Sequence, residues 1–224
     1  MGQPHLRWKN LNSARFCHLK LLLFWPVFGL LFSFVERVGI TNSYHIVSCA
    51  LDGRIPFCEY FLVPYLFWFI FLIGMLLYTL FFEVPTFKRF MKYIIITYSI
   101  TILIYFVYPT AQDLRPAAFA RDDPFTRFLT WFYAFDTNTN VCPSIHVVGS
   151  LAVMFAAWNS GRFHTVGWRI VFGAAAALIC VSTVFLKQHS VIDIAAALLL
   201  CLAVYPFVYG NKAKSARPVT RVTR

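Results

Sequence analysis

The sequence predicts an all-α, polytopic membrane protein: six transmembrane helices in one bundle, with both termini in the cytoplasm. Hydrophobic residues make up 59% of the chain and charged residues only 13%, whereas a globular protein has roughly 45–50% and 25%. The apolar residues are also collected in long blocks, and about 20 such residues let a helix cross a bilayer. Because backbone groups in hydrocarbon must bond internally, the blocks are expected to be helices.

The six blocks give the predicted spans in chain order. They cover residues 19–35, 60–82, 93–108, 145–158, 168–186 and 191–209, and the fourth is expected to begin slightly earlier, at Pro143. Residues 1–210 are expected to form a single membrane domain, and the basic segment 211–224 a disordered cytoplasmic tail. The first block is expected to remain in the chain, because the SFVER sequence at 33–37 is no signal-cleavage site.

The distribution of charge predicts the orientation. Of the 20 Lys and Arg residues, 14 lie in the N-terminal segment, the 83–92 and 159–169 loops and the C-terminal tail, where Glu83 is the single acid. The other connections hold six basic and eight acidic residues, counting Asp193 just inside the last span. An excess of Lys and Arg marks the cytoplasmic side. The net charge of +11 therefore needs no nucleic-acid partner, since the basic residues form no single patch.

Ionisable side chains are costly inside a membrane, so those in the spans indicate function. His189 and Asp193 are four residues apart at the start of the sixth span, which predicts that they share one helical face. His146 begins the fourth span. Since both spans run inward, all three residues are expected near the external surface. Arg115, in an external loop, and Lys187, after the fifth span, are expected there too.

This set of residues is typical of phosphoryl transfer. His189 would attack phosphorus, Asp193 would orient it, and His146 would protonate the departing oxygen. Arg115 and Lys187 would hold the phosphoryl oxygens. Pro143, at an expected first helical position, would leave backbone N–H groups free at the positive end of its helix. No metal is required, because a His/Asp pair offers too few ligands, and no cofactor is expected.

Three motifs resemble those of the type 2 phosphatidic acid phosphatase superfamily, which read K-x6-RP, PSGH and SR-x5-H-x3-D. They are Leu114-Arg115-Pro116, the PSIH sequence at 143–146 and the STVFLKQHSVID sequence at 182–193. The resemblance covers a motif region of 108–197. It implies a nucleophilic His189, an acid His146 and phosphate contacts near Arg115 and Ser144. The candidate site comprises catalytic His189, His146 and Asp193, with phosphate-binding Arg115, Ser144, Lys187 and Ser182.

The motifs depart from the superfamily pattern at three positions. Tyr108 stands for the first Lys, Thr183 for the Arg after Ser182, and Ile145 for the Gly of the second motif. The pattern is closer to the branch related to inositol phosphorylceramide synthase. Fewer cations suit a phosphodiester, which carries one negative charge where a monoester carries roughly two. Alternatively, Arg121 or Arg127 restores the count, and the sequence leaves both possibilities open.

The expected function is that of a metal-independent lipid phosphatase or phosphotransferase, acting through a phosphohistidine on an outer-leaflet lipid at the extracytoplasmic face of the cell membrane. Two alternatives remain: a phosphodiester head-group transferase, of the inositol phosphorylceramide or sphingomyelin synthase type, and an inactive lipid-binding pseudoenzyme. A transporter is disfavoured, because its polar residues would lie near the membrane midplane. The lipid and the acceptor, water or an alcohol, stay open.

Three further features are noted. Cys49 and Cys58 share an external loop and are candidates for a disulfide. The apolar spacing over 125–132 predicts a short helix in the outer interface. Asp136 and the segment 137–140 could line the entrance to a site, but a solvated loop is the preferred interpretation.

Overall fold

The computed structural model describes residue 13, residues 16–38, residue 41 and residues 43–210. This part of the chain is mostly helical, as predicted. Its seven α-helices are α1 (Phe24–Arg37), α2 (Leu62–Phe82), α3 (Val84–Val107), α4 (Pro124–Phe135), α5 (Ile145–Trp158), α6 (Val166–Phe185) and α7 (Val191–Tyr209). Short 3-10 helices at Cys17–Leu23 and Glu59–Phe61 lead into α1 and α2. The predicted disordered tail at 211–224 lies outside the described residues.

Five helical segments within the described ranges are long and apolar enough to cross a membrane. They are Cys17–Arg37, Glu59–Phe82, Val84–Val107, Val166–Phe185 and Val191–Tyr209. The remaining apolar block, the fourth in chain order, forms α5, which has only 14 residues. At about 1.5 Å per residue α5 is roughly 21 Å long, shorter than a hydrocarbon core of about 30 Å. It begins at Ile145, so the expected earlier start at Pro143 is wrong.

The loop expected at 83–92 is absent, because α3 begins at Val84 and Glu83 alone separates it from α2. Pro85 lies in the first turn of α3, where its missing N–H costs no helical hydrogen bond. The basic residues Lys88, Arg89 and Lys92 therefore lie in α3. The predicted third span began only at residue 93, after these charged residues. Lys and Arg are good helix formers, however, and do not interrupt a helix.

The short helix α5 is the centre of the bundle and contacts α2, α3, α6 and α7. Small buried residues on α5, among them Gly149, Ala152 and Ala156, let the neighbouring helices approach closely. A Cβ atom on Gly149 would lie 2.7 Å from Tyr98 Oη and 2.8 Å from Trp68 Nε1, so this position has no room for a side chain. The first helix, α1, packs on α3.

The end of the bundle where α1, α3 and α6 finish and α2, α5 and α7 begin is called the site end below. Two short parallel strands, β1 (His45–Ile46) and β2 (Thr110–Ala111), join the segments that follow α1 and α3 there. The amphipathic helix α4 starts with a capping box between Asp123 and Thr126, buries Leu129 and exposes Trp131. The short helix predicted over 125–132 is thus present.

Candidate functional site

His189 and Asp193 are brought together by the cap of α7. Ser190 is the N-cap residue, and its backbone N–H donates to Asp193 Oδ2 at 2.9 Å. The same oxygen lies 3.2 Å from His189 Nδ1. His189 precedes the helix, so the predicted shared helical face is wrong, and the pair meets because the Asp193 side chain turns back to the cap. A carboxylate at Nδ1 orients the ring and leaves Nε2 for chemistry.

His146 lies in the first turn of α5 and faces His189. The two ring centroids are 5.8 Å apart. The His146 ring is held between Tyr65 and Trp68 of α2, with centroid distances of 4.4 and 4.6 Å. Tyr65 Oη lies 3.5 Å from His146 Nδ1 and donates to Asp136 Oδ2 at 2.8 Å. The two predicted catalytic histidines therefore face each other at the site end.

Asp52, which belongs to none of the sequence motifs, binds the start of α7. It accepts hydrogen bonds from Ser190 Oγ at 2.7 Å and from the N–H groups of Val191 and Cys49 at 2.9 and 2.7 Å. Burial alone would raise the pKa of Asp52, but the hydrogen bonds from Ser190, Val191 and Cys49 outweigh burial and lower it. The loop that carries Asp52, between α1 and α2, is thus tied to α7, the helix that carries Asp193.

The Arg115 guanidinium binds main-chain carbonyls. Nη1 donates to the Tyr133 carbonyl at 2.9 Å, and the Tyr133 ring lies 4.4 Å from the guanidinium carbon. Nη2 donates to the carbonyls of Asp136 and Thr137 at 2.6 and 2.9 Å, and to Gln188 Oε1 at 2.5 Å. Burial lowers the pKa of Arg115, and the nearby Asp136 opposes that shift. Arg115 fastens the segment after α4 to the segment before α7.

Lys187 has a similar arrangement. Its Nζ donates to the carbonyls of Asp52 and Ile55 at 2.7 and 2.5 Å. Its backbone has φ = 54°, in the left-handed region. Burial lowers the pKa of the Lys187 ammonium, and Asp52 opposes that shift. The predicted phosphate ligand is therefore directed to the 52–55 turn.

The two serines also differ from expectation in their surroundings. Ser144 is the N-cap residue of α5, but its hydroxyl makes no cap bond and, among the described residues, has no hydrogen-bond partner. Ser182 Oγ donates to the Ile179 carbonyl of its own helix at 2.6 Å. Pro143 precedes the N-cap residue, so its expected place as the first helical residue is wrong.

A cavity of about 400 Å³ extends from the two histidines into the bundle. Its walls are mainly aromatic and come from α1, α2, α3 and α4. Representative wall residues are Phe28, Phe32, Trp68, Tyr98, Tyr105 and Phe132. Its polar end is formed by Glu36, Asp136, Asn140 and Gln188 together with His146 and His189. An apolar cavity with a few convergent polar groups is the usual form of a small-molecule site.

Glu36 and the segment after α4 were missed as site residues. Glu36 accepts from Thr137 Oγ1 and from Asn140 Nδ2, the latter at 3.3 Å. Burial raises the pKa of Asp136, and the hydrogen bond from Tyr65 opposes that shift. Since Asp136, Thr137 and Asn140 line the cavity, the preferred interpretation of this segment as a solvated loop is wrong. An acid at the end of an apolar span, as at Glu36, is the signal that could have found it.

The remaining expectations concern residues outside the cavity. Arg121 donates to Glu59 and Tyr60, and Arg127 pairs with Asp122 at 2.7 Å, so neither arginine joins the histidines. The two cysteines proposed as a disulfide, at 49 and 58, are both free. Within the described ranges no group of three His, Cys, Asp or Glu side chains could hold a metal ion.

Comparison with known proteins identifies no relative: no protein-family model, curated protein or solved structure matches this chain.

Proposed function

We propose that this chain is an integral membrane enzyme that cleaves or transfers the phosphate-containing head group of a lipid through a phosphohistidine at His189. One observation carries the proposal. His189, oriented by Asp193, faces His146 across 5.8 Å at the polar end of an otherwise aromatic cavity. The apolar walls suit a hydrocarbon chain, and the polar end suits a head group. The three motifs that resemble the type 2 phosphatidic acid phosphatase superfamily support the same chemistry.

The proposed reaction has two steps and uses only groups of the protein. His189 Nε2 attacks phosphorus, the N–P bond forms, and the P–O bond to the leaving alcohol breaks. Protonated His146 gives its proton to the departing oxygen. Water or an alcohol then attacks phosphorus and passes its proton to His146. The N–P bond breaks, and both histidines return to their starting states.

In the proposed arrangement α5 serves as the fourth of six spans, and both termini lie in the cytoplasm. The site end then faces the extracytoplasmic side of the cell membrane, and the substrate is a lipid of the outer leaflet. The excess of Lys and Arg in the opposite segments supports this orientation. The exposed Trp131 and Phe135 of α4 suit an interfacial position at the same end.

Head-group transfer between alcohols is the second candidate, and a specific observation favours it over hydrolysis of a monoester. Arg115 and Lys187, the two cations expected to hold the phosphate, are bound to main-chain carbonyls. A phosphodiester with one negative charge needs less compensation than a monoester with roughly two. Both candidates share the same nucleophile and acid.

The test compares purified wild type with His189→Ala in a non-ionic detergent with EDTA. Phosphate release is measured with a panel of lipid monoesters, and head-group transfer with labelled phosphodiester donors. Loss of the nucleophile should lower either activity by roughly 10³-fold or more. Label from the substrate should be trapped on the wild type as an acid-labile phosphoramidate and should be absent from the variant.

His164→Ala is the matched control, because His164 lies between α5 and α6 at the opposite end and contacts the Gly161 carbonyl. It should retain full activity. Activity that survives in His189→Ala would overturn the phosphohistidine. If the wild type neither released phosphate from any monoester nor transferred a head group from any diester, a lipid-binding pseudoenzyme would be favoured instead.

A further inference from the structure

Two acidic side chains line the polar end of the cavity. Glu36 and Asp136 line it and are both partly exposed, unlike Asp193 and Asp52, which are 0% and 2% exposed. Among the described residues that line the cavity there is no Lys or Arg. The space in front of the histidines therefore presents two carboxylates and no fixed cation.

The nearest cations are committed elsewhere. The Arg115 and Lys187 head groups bind the carbonyls already described. Arg37, next to Glu36 in sequence, donates to the Phe135 carbonyl at 2.9 Å and lies 5.4 Å from the centre of the Phe135 ring. Arg115 and Arg37 both act electrostatically on Asp136, so their charge offsets the carboxylates. A phosphomonoester with roughly two negative charges would thus find no further counter-ion on the cavity wall.

A buried acceptor beside Glu36 points to a donor on the ligand. Asn140 is 3% exposed and lines the cavity. Its Nδ2 donates to Glu36 Oε1 and to the Val35 carbonyl, whereas its Oδ1 has no partner within the part of the chain that the structure describes. Oδ1 is itself covered, so an N–H donor in the cavity would reach it only after a small rotation of the Asn140 side chain. Pairing a costly unpaired acceptor would favour that rotation.

Aromatic rings add a preference for positive charge. The buried rings of Trp68 and Phe132 line the cavity that also holds both carboxylates. Aromatic faces attract ammonium and quaternary ammonium groups, and the attraction grows when the site excludes water. Carboxylates, an acceptor oxygen and ring faces together make a site for a cation.

We infer that the polar end of this cavity selects a zwitterionic phosphodiester lipid, whose head group brings its own ammonium or quaternary ammonium to Glu36 and Asp136. The inference rests on the proposed function, because it names the substrate class of the same site. The diester phosphate would meet the histidines with one negative charge. The cationic end of the head group would lie against the carboxylates and the aromatic rings.

The test measures binding to protein that lacks the nucleophile, so that turnover plays no part. His189→Ala in non-ionic detergent is titrated with short-chain phosphatidylethanolamine, phosphatidylcholine, phosphatidylglycerol and phosphatidic acid. Phosphatidylglycerol is the matched ligand, since it has the same diester charge but a neutral head group. Both zwitterionic lipids should bind at least about tenfold more tightly than phosphatidylglycerol, the effect of one charge-assisted contact.

Added in the same background, Glu36→Gln and Asp136→Asn should each remove most of that preference, while binding of phosphatidylglycerol stays equal or improves. Asn at 136 can still accept from Tyr65, and Glu36→Asp, which keeps the charge, should keep the preference. Glu83→Gln is the control, because Glu83 accepts from Ser160 and Gly161 at the opposite end of the bundle. Phosphatidylethanolamine binding more tightly than phosphatidylcholine would indicate N–H donation to Asn140, and the reverse would indicate the rings.

Two results would overturn the inference: equal affinity for phosphatidylethanolamine and phosphatidylglycerol, or tightest binding of phosphatidic acid. Failure of the proposed function has a different signature. Zwitterionic lipids would then still bind selectively through Glu36 and Asp136, but the wild type would neither release nor transfer the head group.

Discussion

Four carboxylates meet at the site end, and they form two different pairs. Asp52 and Asp193 are buried and accept from main-chain N–H groups at the start of α7. Glu36 and Asp136 are partly exposed to the cavity and accept from side chains, including the Tyr65 hydroxyl and the Asn140 amide. The residue type is the same, but the donors and the exposure differ.

The difference indicates that Asp52 and Asp193 support the structure, whereas Glu36 and Asp136 recognise the ligand. Main-chain donors are fixed by the helix cap, so a carboxylate bound to them holds geometry and has little freedom to meet a ligand. A carboxylate that faces a cavity and is bound by side chains keeps accessible lone pairs. We therefore expect changes at Asp52 to affect stability, changes at Asp193 to affect the orientation of His189, and changes at Glu36 and Asp136 to affect which lipid binds.

The largest effect is expected at Asp193, which accepts from the main chain as Asp52 does but also contacts the nucleophile, His189. Asp193→Asn keeps an acceptor for the Ser190 N–H but weakens the bond that selects the tautomer of His189. We expect kcat to fall roughly 10⁴-fold, as when the carboxylate of a catalytic triad becomes an amide. The melting temperature should change little. The assay is turnover of the best lipid substrate with a parallel thermal melt.

Asp122→Asn is the control for Asp193→Asn, because Asp122 pairs with Arg127 on the surface. It should leave both turnover and melting unchanged. A decrease of less than tenfold in Asp193→Asn would show that the carboxylate only caps α7. Neither Asp52 nor Asp193 would then take part in orienting the nucleophile.

Asp52→Asn should affect stability more than chemistry. The amide can replace one acceptor but not every hydrogen bond from Ser190, Val191 and Cys49, so we expect a loss of about 1–3 kcal/mol in the free energy of unfolding. The hydrogen bonds hold the pKa of Asp52 below its ordinary value of 3.8 in the folded protein. A lowered pKa stabilises the fold above the pKa of the unfolded chain, and this stabilisation is lost as the pH falls through the folded pKa.

Thermal melts of wild type and Asp52→Asn from pH 7 to pH 3 test this expectation. The difference should be constant above about pH 5 and should shrink below about pH 4. Asp113→Asn, at an exposed position, is the control and should show no such difference. A difference that stays constant down to pH 3 would mean that the charge of Asp52 does not stabilise the contact between its loop and α7.

Much of the helical fold could be predicted, because apolar blocks report directly on helices that need a lipid environment. The last helix was predicted with the bounds it has, 191–209. The one-residue turn at Glu83 could not be predicted by the same reasoning, since charged residues both end an apolar block and continue a helix. The strand pair β1–β2 depends on residues 65 positions apart, such as His45 and Thr110, and has no local signal.

For the candidate site, the sequence predicted the residues that belong to motifs, but not the residues and contacts that only the fold brings together. The motifs singled out His146, His189 and Asp193, and these three residues do meet. Arg115 and Lys187 also lie at the predicted end of the bundle, but their partners are backbone carbonyls, which a sequence pattern does not encode. Glu36 and Asp136 are 100 positions apart and belong to no motif, so only the fold brings them to one cavity.

The smallest effect is expected at Lys187, whose ammonium ties the carbonyls of Asp52 and Ile55 to the segment before α7. Lys187→Met keeps the length of the side chain and removes its charge. If Lys187 supports the fold as Asp52 does, the variant should lose about 1 kcal/mol of stability, and KM should stay within about twofold of the wild type. If Lys187 binds substrate phosphate, KM should instead rise about tenfold or more at unchanged stability. Thermal melts, and turnover measured against lipid concentration, distinguish the two results when both proteins are assayed at one detergent concentration. A rise in KM alone would show that Lys187 recognises the head group and does not support the fold.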